Sequence, residues 1–167
     1  MGSSCNFCVE PDPRRTTIQV FNADGSNGHT FASGIRNAVG FDWDPQTRGL
    51  WAADNGIDKA GDEMPPDEIN LIEEGKNYGH PFVIGRGIAS PLADDPSAAD
   101  RARRAAVNPA FELPPHMAPM GVSFYTGTKF PAAYRTSLYV ALHGSTDRSS
   151  KAGYKVVRLV MNNGRPE

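Results

Sequence analysis

Four short stretches of the chain carry residue types suited to chemistry rather than packing. Gly34-Ile35-Arg36-Asn37 sets a guanidinium beside a carboxamide, and Asp54-Asn55-Gly56-Ile57-Asp58 is an acidic loop built around a glycine. Asp67-Glu68-Ile69-Asn70 and Gly75-Lys76-Asn77-Tyr78-Gly79 add carboxylates, amides and a phenol. A guanidinium forks onto an anionic oxygen pair, and an amide both donates and accepts hydrogen bonds. Calcium takes about six to eight oxygen ligands, many of them carbonyls or carboxylates, so the 54–58 loop suits a hard cation. Its spacing is not that of an EF-hand. The same residues also fit structural duties, with Arg36 in an ion pair between sheets and Asn37 in a turn.

Short strands must hold these stretches in place. Thr17-Ile18-Gln19-Val20-Phe21 reads as a strand followed by an Asn-Ala-Asp-Gly turn, and 29–32 reads as a second strand ended by Gly34. Strands over 38–43 and 50–54 flank the Asp-Pro-Gln-Thr-Arg-Gly loop, and the four are expected to form one propeller blade. The pattern recurs. Ala118-Pro119-Met120-Gly121-Val122-Ser123-Phe124 echoes Asn37-Ala38-Val39-Gly40-Phe41-Asp42-Trp43, and Leu138-Tyr139-Val140-Ala141 echoes Leu50-Trp51-Ala52-Ala53. Further strands are expected over 120–125, 137–142 and 154–160, with a turn at Asn162-Asn163-Gly164.

The 17 glycines and 14 prolines agree with many short strands and turns rather than a helical bundle. The expected class is therefore all-β, a β-propeller in which residues 1–167 form part of a single domain. An irregular insertion is expected at about 81–115, with a surface helix over 94–106 carrying Arg101, Arg103 and Arg104. A blade needs about 40–50 residues, so the chain holds about two to three blades. An open ring would expose strand edges, and Met1 runs straight into Gly2-Ser3-Ser4-Cys5; the chain reads as a piece of a longer protein.

A net charge of -2 with both signs dispersed offers no footprint for nucleic acid or an anionic membrane. No apolar run approaches the length of a bilayer span. The lone Cys5-x-x-Cys8 lacks the second pair that structural zinc uses, lacks a histidine after it for haem, and lacks a βαβ context for thioredoxin chemistry. A local disulfide or two structural thiols remain, and a disulfide would indicate an oxidising compartment. His80 and His116 read as satisfied structural histidines.

The ordered motifs resemble the soluble quinoprotein glucose/sorbosone dehydrogenases, in particular the L-sorbosone branch. The resemblance rests on Gly2-Ser3-Ser4-Cys5-Asn6, Gly34-Ile35-Arg36-Asn37, Asp67-Glu68-Ile69-Asn70 with Asn77-Tyr78-Gly79, Ala141-Leu142-His143-Gly144-Ser145, and Gly153-Tyr154-Lys155-Val156-Val157-Arg158. It implies a six-bladed propeller that binds pyrroloquinoline quinone and calcium and oxidises a sugar or hydrated aldehyde by hydride transfer to the quinone. It implies that Arg36 and Asn37 reach the quinone, that the carbonyls of Gly56 and Ile57 hold calcium, and that Glu68 and Tyr78 serve a further calcium site. His143 falls where glucose-oxidising members use a cofactor-contacting lysine, and a neutral imidazole cannot supply that fixed charge.

The family's general-base histidine lies upstream of Gly2, so no catalytic residue is expected within the chain, and two cofactor-binding arginines lie beyond Glu167. A periplasmic or secreted location and a small sugar substrate follow from the resemblance, whereas the electron acceptor is left open. Because propellers host many functions, a calcium-dependent lactonase or a non-catalytic binding module is the alternative. A lactonase would need side-chain carboxylates and amides converging on one metal, whereas backbone carbonyls and Arg36 dominate the site expected here.

Overall fold

Tight turns break the chain into short strands, described over residues 1–90, 96–145 and 147–167 of a computed structural model. In chain order the elements are β1 (Thr17–Val20), β2 (His29–Ser33), β3 (Ala38–Trp43), β4 (Leu50–Asp54), β5 (Asp67–Ile72), β6 (Val83–Ile84), β7 (Ile88–Ala89), α1 (Pro96–Ala105) and β8 (Phe111–Leu113). There follow β9 (Pro119–Phe124), a 3-10 turn (Ala132–Tyr134), β10 (Leu138–Leu142), β11 (Lys155–Leu159), β12 (Met161–Asn162) and β13 (Arg165–Pro166). The architecture is all-β apart from α1 and the 3-10 turn. The main sheets are a four-stranded one ordered β3-β4-β5-β8 and a three-stranded one ordered β11-β10-β9, with hairpins β1-β2, β6-β7 and β12-β13 beside them.

The expected grouping of the first four strands into one blade is corrected. Among the described residues β1 pairs only with β2, whereas β3 and β4 continue into β5 and β8. The strand at Asp67–Ile72 carries little strand signal because Asp, Glu and Asn are poor strand formers; pairing of Leu50 with Ile72 and Ala53 with Ile69 overrides that propensity. The segment expected to be an insertion contains β6, β7, α1 and β8. The helix was expected over 94–106; it runs Pro96–Ala105, and residues 94 and 95 lie outside the described residues.

The repeat extends to detail. Both inner hairpins bulge at the same place, between Ala38 and Gly40 opposite β4 and between Pro119 and Gly121 opposite β10. There β3 and β9 pack against each other, and a Cβ on Gly40 would lie 2.6 Å from the Gly121 Cα. Only glycine allows that approach.

β4 is buried on both faces, which explains its unbroken apolar run. Trp51 and Ala53 enter a core shared by the two large sheets with Ile69, Leu113, Phe124, Leu138, Val140 and Leu159. Ala52 faces a second core containing Ala32, Ile35, Ile72 and Tyr78. Each fully buried large side chain contributes about 1.5–3 kcal/mol. On β3, Val39, Phe41 and Trp43 stay exposed at 42%, 57% and 53%, and Phe41 and Trp43 help line an apolar groove of about 890 Å³ beside β1.

Candidate functional site

The Arg36–Asn37 pair sits where β2 turns into β3. Gly34 adopts φ +71, and a Cβ there would lie 2.6 Å from the Gly79 nitrogen, so glycine lets the turn close on the 75–79 loop. Ile35 is buried and anchors the turn. Asp54, at the end of β4, accepts the Arg36 backbone N–H at 2.8 Å through Oδ2 and the Asn37 N–H at 2.5 Å through Oδ1.

The Arg36 side chain is then gripped by the N-terminal loop. Its Nε donates to the Asn6 carbonyl at 2.8 Å, Nη2 to Asn6 Oδ1 at 3.1 Å and Nη1 to the Asn55 carbonyl at 3.2 Å. A disulfide joins Cys5 and Cys8 on either side of Asn6 and closes that loop. Arg36 has five N–H donors. These three bonds leave one on each terminal nitrogen for a ligand. Asn37 is exposed at the same cleft, and its carbonyl accepts from the backbone and side chain of Asn55 at 3.3 and 3.2 Å. The supporting roles of Asp54 and Asn6 had no signal of their own, although both lie inside motifs already singled out.

A second carboxylate organises the 54–58 loop. Asp67, opening β5, accepts the Gly56 N–H at 2.8 Å and the Ala118 N–H at 2.9 Å, tying the loop to the start of β9. Among the described residues no hydrogen bond ends on the carbonyls of Gly56 or Ile57, whereas those of Asn55 and Asp58 are used. Behind the loop lies a cavity of about 30 Å³, large enough for one ion or water, lined by Asp54, Gly56, Ile57, Glu68, Tyr78 and His80.

Register brings Asp54 and Glu68 opposite each other on β4 and β5. Like charges so placed repel. Burial pushes Glu68 up to about 7, with Asp54 adding to the rise. Burial likewise pushes Asp54 up to about 6 against its hydrogen bonds and Arg36, which favour the anion. Tyr78 is committed elsewhere: its hydroxyl donates to the Leu71 carbonyl at 2.6 Å and accepts the Glu73 N–H at 2.9 Å. Only its backbone carbonyl remains for a cation. His80 departs from expectation, because its buried Nε2 has no partner among the described residues. Burial first, and Arg36 second, lower it to about 4.

These shifts predict a pH signature. Folded Glu68 holds its proton to about pH 7 against an ordinary 4.5, so its stabilising contribution is complete below about pH 4.5 and is lost as pH rises through 7. Asp54 acts in the same sense between 3.8 and about 6, and His80 in the opposite sense between about 4 and 6.5. Comparing wild type with Glu68→Gln isolates the first. In chelator, the variant should gain stability relative to wild type between pH 5 and pH 8 in thermal melts. Parallel pH profiles for the two proteins would contradict the burial of this carboxyl.

In front of the loop opens a cleft of about 260 Å³. Arg36, Asn37, Gly56 and His143 line it together with Asp58, His116 and Asp147. His143 is exposed, its Nδ1 lying 3.2 Å from the Gly144 carbonyl. Arg36, Asn37 and His143 are thus brought to one cleft, whereas Glu68 and Tyr78 line the cavity behind it; Gly56 borders both, and Ile57 borders the cavity. Backbone carbonyls and Arg36 do not dominate the cleft as expected, since two carboxylates and the His116 imidazole converge there.

Residues 9–162 match the family model described as glucose/sorbosone dehydrogenase. An uncharacterized protein of Borreliella burgdorferi is 36% identical over 160 residues, covering 95% of this chain and 41% of its own length. The calcium structure of a Trichoderma reesei enzyme of carbohydrate-active enzyme family AA12 superposes with TM-score 0.82 at 22% identity, covering 99% of this chain and 50% of its own. The holo form of the pyranose dehydrogenase PQQ domain from Coprinopsis cinerea gives TM-score 0.78 at 23% identity with the same coverage. The chain therefore spans half or less of the length of these proteins.

Proposed function

The chain belongs to the glucose/sorbosone dehydrogenase family, and from that premise we propose that it supplies part of the cofactor site of a quinoprotein sugar dehydrogenase. The parent would be a six-bladed propeller, with residues 1–167 covering about two to three blades and an irregular segment at about 81–115 whose last strand, β8, joins the four-stranded sheet. The exposed apolar face of Val39, Phe41 and Trp43 supports this reading, because a neighbouring blade would cover it. The single observation that carries the function is the Arg36 guanidinium, held on three sides by protein oxygens with two donors left over at the cleft.

The site's chemistry fits pyrroloquinoline quinone and calcium. The two spare Arg36 donors, with the Asn37 amide and the His143 imidazole, would bind the anionic and carbonyl oxygens of the cofactor. The unused carbonyls of Gly56 and Ile57 would face calcium. Asp54 and Glu68 are opposed across β4 and β5, with His80 Nε2 unpartnered among the described residues; burial favours their neutral forms, and a cation entering the cavity behind the loop would favour their anions, with the Tyr78 carbonyl as a further ligand. The bound quinone supplies a two-electron acceptor for the hydride of a sugar or hydrated aldehyde. Asp54 and Asn6 keep Arg36 in orientation, so that binding energy goes into alignment. The acceptor of the hydroxyl proton is assigned to a histidine outside these residues.

Among the described residues no helix is long and apolar enough to cross a membrane. The Cys5–Cys8 disulfide supports a periplasmic or secreted protein. Titration of the full-length parent with pyrroloquinoline quinone, with calcium and with chelator, tests the proposal. Saturable binding that requires calcium is expected. Equal binding in both conditions would remove calcium from the site, and no binding in either would refute the quinone reading.

A further inference from the structure

We propose that Asp58, His116 and Asp147 form a site for a divalent transition-metal ion at the mouth of the cleft, separate from any oxygen-only calcium site. One ligand atom from each residue lies within 4.8 Å of the others. Ligands on a tetrahedral ion at about 2.0–2.2 Å stand about 3.3–3.6 Å apart, so small side-chain rotations close the set. The three come from distant parts of the chain, and the fold alone brings them together. Asp58 ends the 54–58 loop, His116 precedes β9 and Asp147 follows β10.

The imidazole makes this more than an acidic cluster. His116 is buried, and its Nε2 lies 2.9 Å from the Gly61 carbonyl. A carbonyl can only accept, so Nε2 carries the proton and Nδ1 keeps the lone pair that a metal needs. That carbonyl-to-imidazole bond is the arrangement by which proteins orient ligating histidines. Asp58 is steadied by the Asn6 side chain, which accepts its N–H at 2.7 Å and donates to its carbonyl at 2.8 Å. Asp147 accepts a hydrogen bond from the Lys59 N–H. The Arg36 guanidinium pairs loosely with Asp58 at 3.8 Å while it donates to Asn6 and Asn55.

Two carboxylates held this close repel one another unless a cation lies between them. With one nitrogen and two oxygens, the set suits zinc, cobalt or manganese above calcium or magnesium, which take oxygen alone. Three protein ligands leave coordination positions open toward the cleft, as in reactive rather than purely structural metal sites.

The inference does not rest on the quinone reading, and its test uses no quinone. The untagged protein, saturated with calcium to fill oxygen-only sites, is titrated with cobalt(II) and followed by visible absorption. One cobalt per chain is expected, with a spectrum showing nitrogen ligation. His116→Gln, Asp58→Asn and Asp147→Asn should each weaken binding by at least about tenfold, and His29→Gln, at an exposed imidazole on β2 away from the cleft, should leave it unchanged. Asp58 is exposed and Asp147 partly so; these two variants decide the matter should His116→Gln fail to fold by circular dichroism. The proposal is overturned if wild type takes up no cobalt, if the carboxylate variants bind as wild type, or if His29→Gln removes the site.

Discussion

Trp51→Ala is expected to lower the unfolding free energy by about 3–5 kcal/mol and the melting temperature by about 6–20 °C for a chain of this size. Trp51 is 1% exposed, enters the core between the two large sheets and meets Phe124 edge to face at 6.5 Å. Truncation would leave a cavity that the flanking strands, pinned by their ladders, cannot close. Its indole nitrogen is buried without a partner among the described residues, so the side chain contributes by volume and not by a hydrogen bond. Trp51→Phe, which keeps most of that volume, should therefore cost clearly less. Denaturant titration of both variants measures this, and similar losses for Phe and Ala would mean that the indole nitrogen has a role.

Arg36→Ala should weaken quinone binding by about ten- to hundredfold, the loss of a charge-assisted bond worth about 1.5–3 kcal/mol. Its three bonds to Asn6 and Asn55 add a structural component, so the apo melt should also fall. Arg36→Lys should not restore affinity, because an ammonium cannot reproduce the fork. Asn6→Ala should weaken binding less than Arg36→Ala, since it frees the guanidinium without removing it. A calorimetric titration beside a cofactor-free melt separates the contributions. Unchanged affinity with an apo loss of about 3–5 kcal/mol would return Arg36 to a purely structural duty.

The site's division of labour follows from burial. Asp54 and Asp67 lie behind the loops, and each accepts two backbone N–H groups, Asp54 from the adjacent Arg36 and Asn37 and Asp67 from the separate Gly56 and Ala118. Buried acceptors of this kind orient a loop at little entropic cost. Residues in the cleft keep free donors or lone pairs because their backbones are already held.

Much was legible locally. The strands at 38–43 and 50–54 coincide with β3 and β4, and those expected near 17–21, 29–32, 120–125, 137–142 and 154–160 begin and end within one residue of β1, β2, β9, β10 and β11. Turn residues and period-two patterning act over a few residues, so their imprint is local. The repeated Gly40 and Gly121 even marked where the inner strands meet, because a close backbone approach excludes a side chain.

What the tertiary structure alone decided is partnership. Whether β2 pairs with β3 or β5 with β4 depends on contacts across tens of residues, and strand propensity says nothing of them. The same holds at the site. Arg36 and its neighbours announced a binding place through their residue types, which belong to the sequence. That Asn6 would grip Arg36, that Glu68 would face Asp54, and that His116 would meet Asp58 and Asp147 arises from long-range register and loop packing. A side chain's chemistry is written at its own position; its partners are set by where the whole chain folds.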